Sequence, residues 1–211
     1  MIGEDCDFAQ QGIFIRANRR RVLVCLGGLV CGGVISSALA REENSQKVSG
    51  LLTSTKQLII FFSHTGFTRQ LAQMINDQIS ADLVQIQPEK AYPEGYNALV
   101  ALARKEFPNY LTPALVGIGV DLENYQHIYF GSPVWRRILS HPAEEFLKHH
   151  DLSGKTIFPF VTHGGWGAGN SFESVKKLTP NVDVREGLSI LGSNVTSSLS
   201  KVAEWTRKNE Q

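Results

Sequence analysis

The 211-residue chain is 42% hydrophobic and 19% charged, one globular domain with some sequence to spare. This excludes a disordered chain, a fibrous repeat and a polytopic membrane protein. With 21 Lys and Arg against 20 Asp and Glu the formal charge is +1, so no basic surplus points to nucleic acid as a partner.

Cys6, Cys25 and Cys31 are the only thiols. Beyond them the chain holds no disulfide framework, Cys-ligated metal or cysteine nucleophile, which is compatible with an oxidising compartment. The first forty residues read as an address. A basic cluster from Arg16 to Arg21 runs into the apolar stretch Val22 to Ile35, followed by Ser36, Ser37, Ala38, Leu39 and Ala40. That is the layout of an export signal, with cleavage expected between Ala40 and Arg41. Its apolar run of 14 positions includes four glycines, whereas a membrane span needs about 20 mostly apolar residues, so no stable anchor is expected after cleavage. Asn18-Arg19-Arg20-Arg21-Val22-Leu23 resembles the twin-arginine export signal; an ordinary Sec signal containing three arginines is the other reading. Either route places the mature chain in the periplasm or outside the cell. The leader holds Arg16, Arg19, Arg20, Arg21, Glu4, Asp5 and Asp7, so 17 basic and 17 acidic residues remain and the mature charge is zero.

Residues 41–55 are polar and read as a linker before a domain at 56–211. Gln57 to Phe62 is a short continuous apolar run, the pattern of a strand buried on both faces. Leu71, Ile75 and Ile79 then recur at helical spacing, and Leu83 to Ile86 returns to strand character. This strand, turn, helix, strand order predicts a parallel βαβ unit. The alternation continues with a helix at Tyr96 to Phe107, a strand at His127 to Phe130, a helix at Ile138 to His149 and a strand at Thr156 to Thr162. A helix at Ser171 to Leu178, a strand at Leu188 to Leu191 and a helix at Val195 to Lys208 complete it. The expected fold is α/β, a three-layer, doubly wound, five-stranded parallel sheet, whose ligands bind at the carboxyl ends of the strands.

Three loops follow the first, third and fourth of these strands. Ser63, His64, Thr65, Gly66, Phe67 and Thr68 offer hydroxyls and backbone N–H groups at the positive end of a helix, a setting for a phosphate held without metal. The same residues also read as an ordinary capped helix start, and they lack the lysine of a Walker loop. Gly131 to Arg137 places Trp135 where it either covers a planar ring or closes the edge of the core. Thr162 to Asn170 carries four glycines, which expose backbone polar groups to a flat heterocycle or make a flexible surface loop. No metal site is expected: His149 and His150 point in different directions on a helix, and His141 before Pro142 reads as a turn.

Taken together, these loops resemble the flavodoxin-like family, in its bacterial flavodoxin branch, over roughly Lys56 to Lys208. The first is similar to that family's S-x-T-G-x-T phosphate site, GSPVW to its G-x-P-x-W flavin-edge loop and THGGWGAG to its S-G-G-x-G-x-G ring-contacting loop; EGLSILGSN at 186–194 also fits. The resemblance implies FMN as cofactor. Ser63, His64, Thr65, Gly66, Phe67 and Thr68 would hold its phosphate, Pro133, Val134 and Trp135 would flank the isoalloxazine, and Thr162, His163, Gly164, Gly165 and Gly169 would contact its polar edge. Phe67 stands where the family often has Asn, and Arg136 where an aromatic or small residue is common. Reduced flavin is anionic near N1, so an inward Arg136 implies a higher potential than in acidic flavodoxins. The zero mature charge argues against the family's docking to basic partners.

With the export signal, the resemblance implies an exported electron carrier that passes electrons to a redox partner protein or a small-molecule acceptor, with no side chain acting as acid, base or nucleophile. An FMN-dependent NAD(P)H:quinone-type reductase and a non-redox module binding another phosphorylated ligand are the alternatives.

Overall fold

In Gln57–Phe61 (β1), successive side chains enter opposite cores. Leu58 and Ile60 join a cluster with Ile128, Phe130, Ile157 and Phe146, while Ile59 and Phe61 join one with Tyr129, Phe158, Phe160 and Leu71. A strand covered on both faces has no solvent side, which is why its sequence is apolar without alternation. The structure is a computed structural model and describes residues 56–109 and 113–209. The leader expected at 1–40 and the linker at 41–55 lie outside the described residues.

The strands that follow are Asp82–Gln85 (β2), His127–Trp135 (β3), Ile138–Leu139 (β4), Thr156–His163 (β5), Asp183–Val184 (β6) and Leu188–Leu191 (β7). Parallel pairing runs β2-β1-β3-β5, and β6 and β7 both pair with β5 at the edge. These two short strands occupy one edge position, so the sheet is five strands wide, as expected. The interruption falls beside Pro159 of β5, which has no N–H to give the ladder. Within the interruption, Glu186 turns its carbonyl to the Trp205 indole at 2.8 Å.

Helices cover both faces and make three layers. Phe67–Ile79 (α1) and Leu199–Asn209 (α5) bury Leu71, Ala72, Ile75, Val202 and Trp205 on one face. His141–His149 (α3) and Ser171–Leu178 (α4) bury Ala143, Phe146, Leu147 and Val175 on the other, where Leu99 and Leu102 of Tyr96–Asn109 (α2) also pack. Among the described residues no helix is long and apolar enough to cross a membrane.

Three sequence expectations are corrected. The helix expected from Ile138 begins at His141, because Ile138 and Leu139 pair antiparallel with Trp135 and Val134. His141 and Pro142 form the first turn of α3 rather than a free turn, since an early helix position needs no intrahelical N–H. The helix expected from Val195 begins at Leu199, after a 3-10 segment at Gly192–Ser197. There the Ser197 and Ser198 hydroxyls both donate to the Asn194 carbonyl, at 3.0 and 2.7 Å, a local bonding pattern that competes with the α-helix.

Candidate functional site

At the carboxyl end of β1 the chain turns through Ser63, His64, Thr65 and Gly66 into α1. Gly66 caps the helix at φ 94°, a left-handed conformation that costs glycine nothing, and the space where a Cβ would stand is open. Ser63 Oγ accepts the Arg69 N–H at 3.2 Å and the Gly66 carbonyl accepts Gln70 N–H at 2.9 Å. The helix's own geometry provides no partner for the amides of Phe67 and Thr68. The cap residue Gly66 brings no side chain and the first turn holds no acid, so apart from the neutral Ser63 hydroxyl the partial positive charge of this end has no anion of its own. Thr65 is exposed, His64 is half-buried and Phe67 lies against Gly192, where a Cβ would come within 2.8 Å of the Phe67 ring.

The second segment differs from the loop expected from sequence. Pro133, Val134 and Trp135 belong to β3, which continues into a two-residue hairpin whose turn is Arg136-Arg137, at φ 51° and 69°. Both arginines are exposed. Gly131 admits no side chain: a Cβ would overlap the Phe160 ring and lie 2.8 Å from Phe61 Cβ. Behind the hairpin, the Ser132 and Ser140 hydroxyls are 3.0 Å apart and Ser140 N–H also donates to Ser132 Oγ at 3.0 Å, tying the start of α3 to β3.

Trp135 is packed edge-on against four rings, with centroids 5.1 Å from Tyr92, 5.7 Å from Phe62, 5.9 Å from His141 and 6.3 Å from His64. Its indole therefore closes the edge of the core, and what it leaves exposed borders the rim. Tyr92 was not singled out from the sequence. Its signal lay in AYPEGY at 91–96, an aromatic before a proline in the loop after β2, where site residues collect in such sheets.

The third segment leaves β5 at Thr162, buried, and His163, half-buried. His163 Nδ1 accepts the Gly165 N–H at 3.1 Å; burial of the ring, and then the Lys201 ammonium, hold its pKa below the usual 6.5. Gly164 and Gly165 are exposed and Trp166 is 83% exposed. Gly169 lies against the hairpin turn, where a Cβ would overlap the Arg137 carbonyl, and the Asn170 N–H donates to that carbonyl at 2.6 Å.

Each pair of segments is in contact. Thr68 and Thr162 share a buried hydrogen bond at 2.8 Å, His64 meets Trp135, and Gly169 and Asn170 meet Arg137. All fourteen residues named from sequence belong to this rim. Thr68 and Thr162 face each other, Trp135 faces the core, and Thr65, Gly164 and Gly165 face solvent. Among the described residues no three His, Cys, Asp or Glu cluster as metal ligands would.

The fold is that of the doubly wound α/β proteins, whose ligand crevice lies at the carboxyl ends of the strands, and there this chain carries a glycine-capped helix N-terminus and a glycine-rich loop. Residues 56–209 match the family model described as Flavodoxin, and the chain belongs to that family. It is similar in structure to a candidate flavoprotein of Bacteroides uniformis, with 25% identity and a TM-score of 0.64 over 72% of this chain and 98% of that one. A second candidate flavoprotein, from Bacteroides eggerthii, gives 27% identity and 0.59 over 71% and 98%. A flavoprotein of Lactobacillus acidophilus solved in complex with FMN gives 21% and 0.58 over 68% and 98%. No curated protein matches the chain.

Proposed function

We propose that the chain binds FMN non-covalently and passes electrons. The observation that carries this reading is the glycine-capped start of α1, which has no acid of its own and opens onto the rim where three segments meet. In this reading Ser63, His64, Thr65, Gly66, Phe67 and Thr68 hold the phosphate, its charge set against the positive end of the helix. The residues fit a phosphate, since no side chain stands at Gly66 to obstruct its approach. The Thr68–Thr162 pair also places one proton between two hydroxyls and leaves the other for a third acceptor.

Pro133, Val134 and Trp135 then border the isoalloxazine, and Thr162, His163, Gly164, Gly165 and Gly169 supply the backbone and ring donors along its polar edge. The bound flavin would supply the redox chemistry, while the protein sets its position and surroundings. The family membership and the flavoprotein neighbours support this reading. The twin-arginine pattern supports export in the folded state to the periplasm or beyond, and the balanced mature charge supports a partner other than a strongly basic protein, or a small-molecule acceptor.

The test is to purify the full chain with its leader from a flavin-replete cytoplasm and record the visible spectrum. Flavin bands that FMN restores after extraction support the reading; no bands, with no gain on adding FMN, contradict it. The exposed Gly164, Gly165 and Trp166 leave room for a small acceptor, so steady-state turnover with NAD(P)H and a quinone separates reductase from carrier.

A further inference from the structure

The glycine-rich segment after β5 has little to hold it. Gly165 and Gly167 sit at φ 125° and 71°, the positions where side chains would stand at Gly164, Gly165 and Gly167 are open, and Trp166 at the tip is 83% exposed. No packed side chain fixes the path of these four residues. Among the described residues, one hydrogen bond reaches Gly164–Gly167: the Gly165 N–H donating to His163 Nδ1 at 3.1 Å.

The chemistry of that bond fixes the state of the ring. A backbone N–H can only donate, so Nδ1 must present a lone pair, and neutral His163 carries its proton on Nε2. A proton arriving at Nδ1 would set one N–H against another. The bond would be lost, and the segment would lose the contact that sets the direction of its amides. Burial of the ring at the strand end, and Lys201 from α5, both oppose the charged form, so the tether is intact at neutral pH and opens on acidification.

We propose that His163 is a positioning residue: through neutral Nδ1 it holds the glycine-rich loop in the shape that receives the flavin ring, and protonating it weakens cofactor binding. The cofactor half of this inference rests on the FMN reading above; the tether does not.

The test uses the full chain in two arms. In the first, ¹⁵N-labelled protein without flavin is titrated from pH 8 to pH 5. The expected result is a ring proton on Nε2 at the alkaline end, with the Gly165 amide shifting and losing exchange protection as His163 titrates below its ordinary value. A proton on Nδ1 at high pH, or a Gly165 amide that ignores the titration, overturns the proposal.

In the second arm FMN is titrated into the wild type, His163→Asn and His163→Leu at pH 7.5 and pH 5.5. Asn places Oδ1 near the site of Nδ1, keeping the acceptor without a titrating group, whereas Leu removes the acceptor. One hydrogen bond of about 1 kcal/mol corresponds to about a fivefold change in affinity. The wild type is therefore expected to weaken more than His163→Asn on acidification, by up to about fivefold as His163 becomes fully protonated. His163→Leu is expected to bind more weakly than His163→Asn at both values. The FMN phosphate and every protein group other than residue 163, His64 and His141 at the rim included, are common to all three proteins, so the ratio of wild type to His163→Asn isolates His163. A ratio that stays constant between the two pH values overturns the proposal. Absence of FMN binding to the wild type at pH 7.5, with a Gly165 amide that titrates as described, overturns the functional reading while supporting the tether.

Discussion

Thr68 Oγ1 and Thr162 Oγ1 lie 2.8 Å apart, both side chains buried, joining the first turn of α1 to the end of β5 across 94 residues of chain. Thr162→Val leaves the Thr68 hydroxyl buried without this partner and is expected to cost about 1 to 3 kcal/mol, as is Thr68→Val. The double variant removes both polar groups and is expected to cost less than the sum of the two. Urea unfolding of the four proteins gives the coupling directly; strict additivity would show that the pair is not a unit.

Trp135 makes its ring contacts with the protein's own Phe62, Tyr92, His64 and His141. Trp135→Ala is therefore expected to destabilise the flavin-free protein, by about 3 kcal/mol given its partial exposure. Trp135→Phe retains most of the packing and is expected to cost about 1 kcal/mol. Thermal unfolding in the absence of flavin distinguishes this from a role confined to the ligand, for which both variants would match the wild type.

Arg136 and Arg137 occupy a two-residue turn at φ 51° and 69°, positions that favour Asn-Gly and cost an ordinary side chain about 1 to 2 kcal/mol each. Arg136→Asn with Arg137→Gly is expected to raise stability by about 1 kcal/mol. Contacts made by the arginine side chains and the greater freedom of unfolded glycine offset the rest. A fall in the unfolding midpoint would show that those side-chain contacts outweigh the strain of the turn.

How far the sequence was legible depends on where each residue's partners lie. The β1 run, the α1 period of Leu71 and Ile75 and the first and third loops were readable because their causes are local: apolar runs, helical spacing and turn chemistry. The hairpin was not, because Ile138 and Leu139 read equally as the start of a helix and take strand form only by pairing with Trp135 and Val134. The split edge strand was hidden for a similar reason, since it follows Pro159 in a neighbouring strand. Within the site, the residue types were visible but their pairings were not. Nothing local places Thr68 against Thr162 or Tyr92 against Trp135.

The Tyr125 hydroxyl donates to Asp82 Oδ2 at 2.6 Å, joining the chain before β3 to the start of β2. Burial, then the hydrogen bond and charge of Asp82, with Asp121 adding to them, push its pKa up to about 12 from 10.0. A folded-state pKa above the unfolded one contributes stability that is full below pH 10 and is lost as pH rises through the folded value. Tyr125→Phe is expected to be less stable than wild type by about 1 kcal/mol at pH 8, with the gap closing as pH passes from 10 to 12. Denaturation at a series of alkaline pH values checks this; a gap independent of pH would exclude the linkage.

The most direct measurement of the central claim is a calorimetric titration of the flavin-free full chain with FMN, and in parallel with riboflavin, which has the same ring and no phosphate. If the glycine-capped start of α1 receives the phosphate while the rim receives the ring, FMN binds saturably at one site and riboflavin binds at least about tenfold more weakly. Equal affinity for the two would contradict the phosphate site, and absence of FMN binding would contradict the account as a whole.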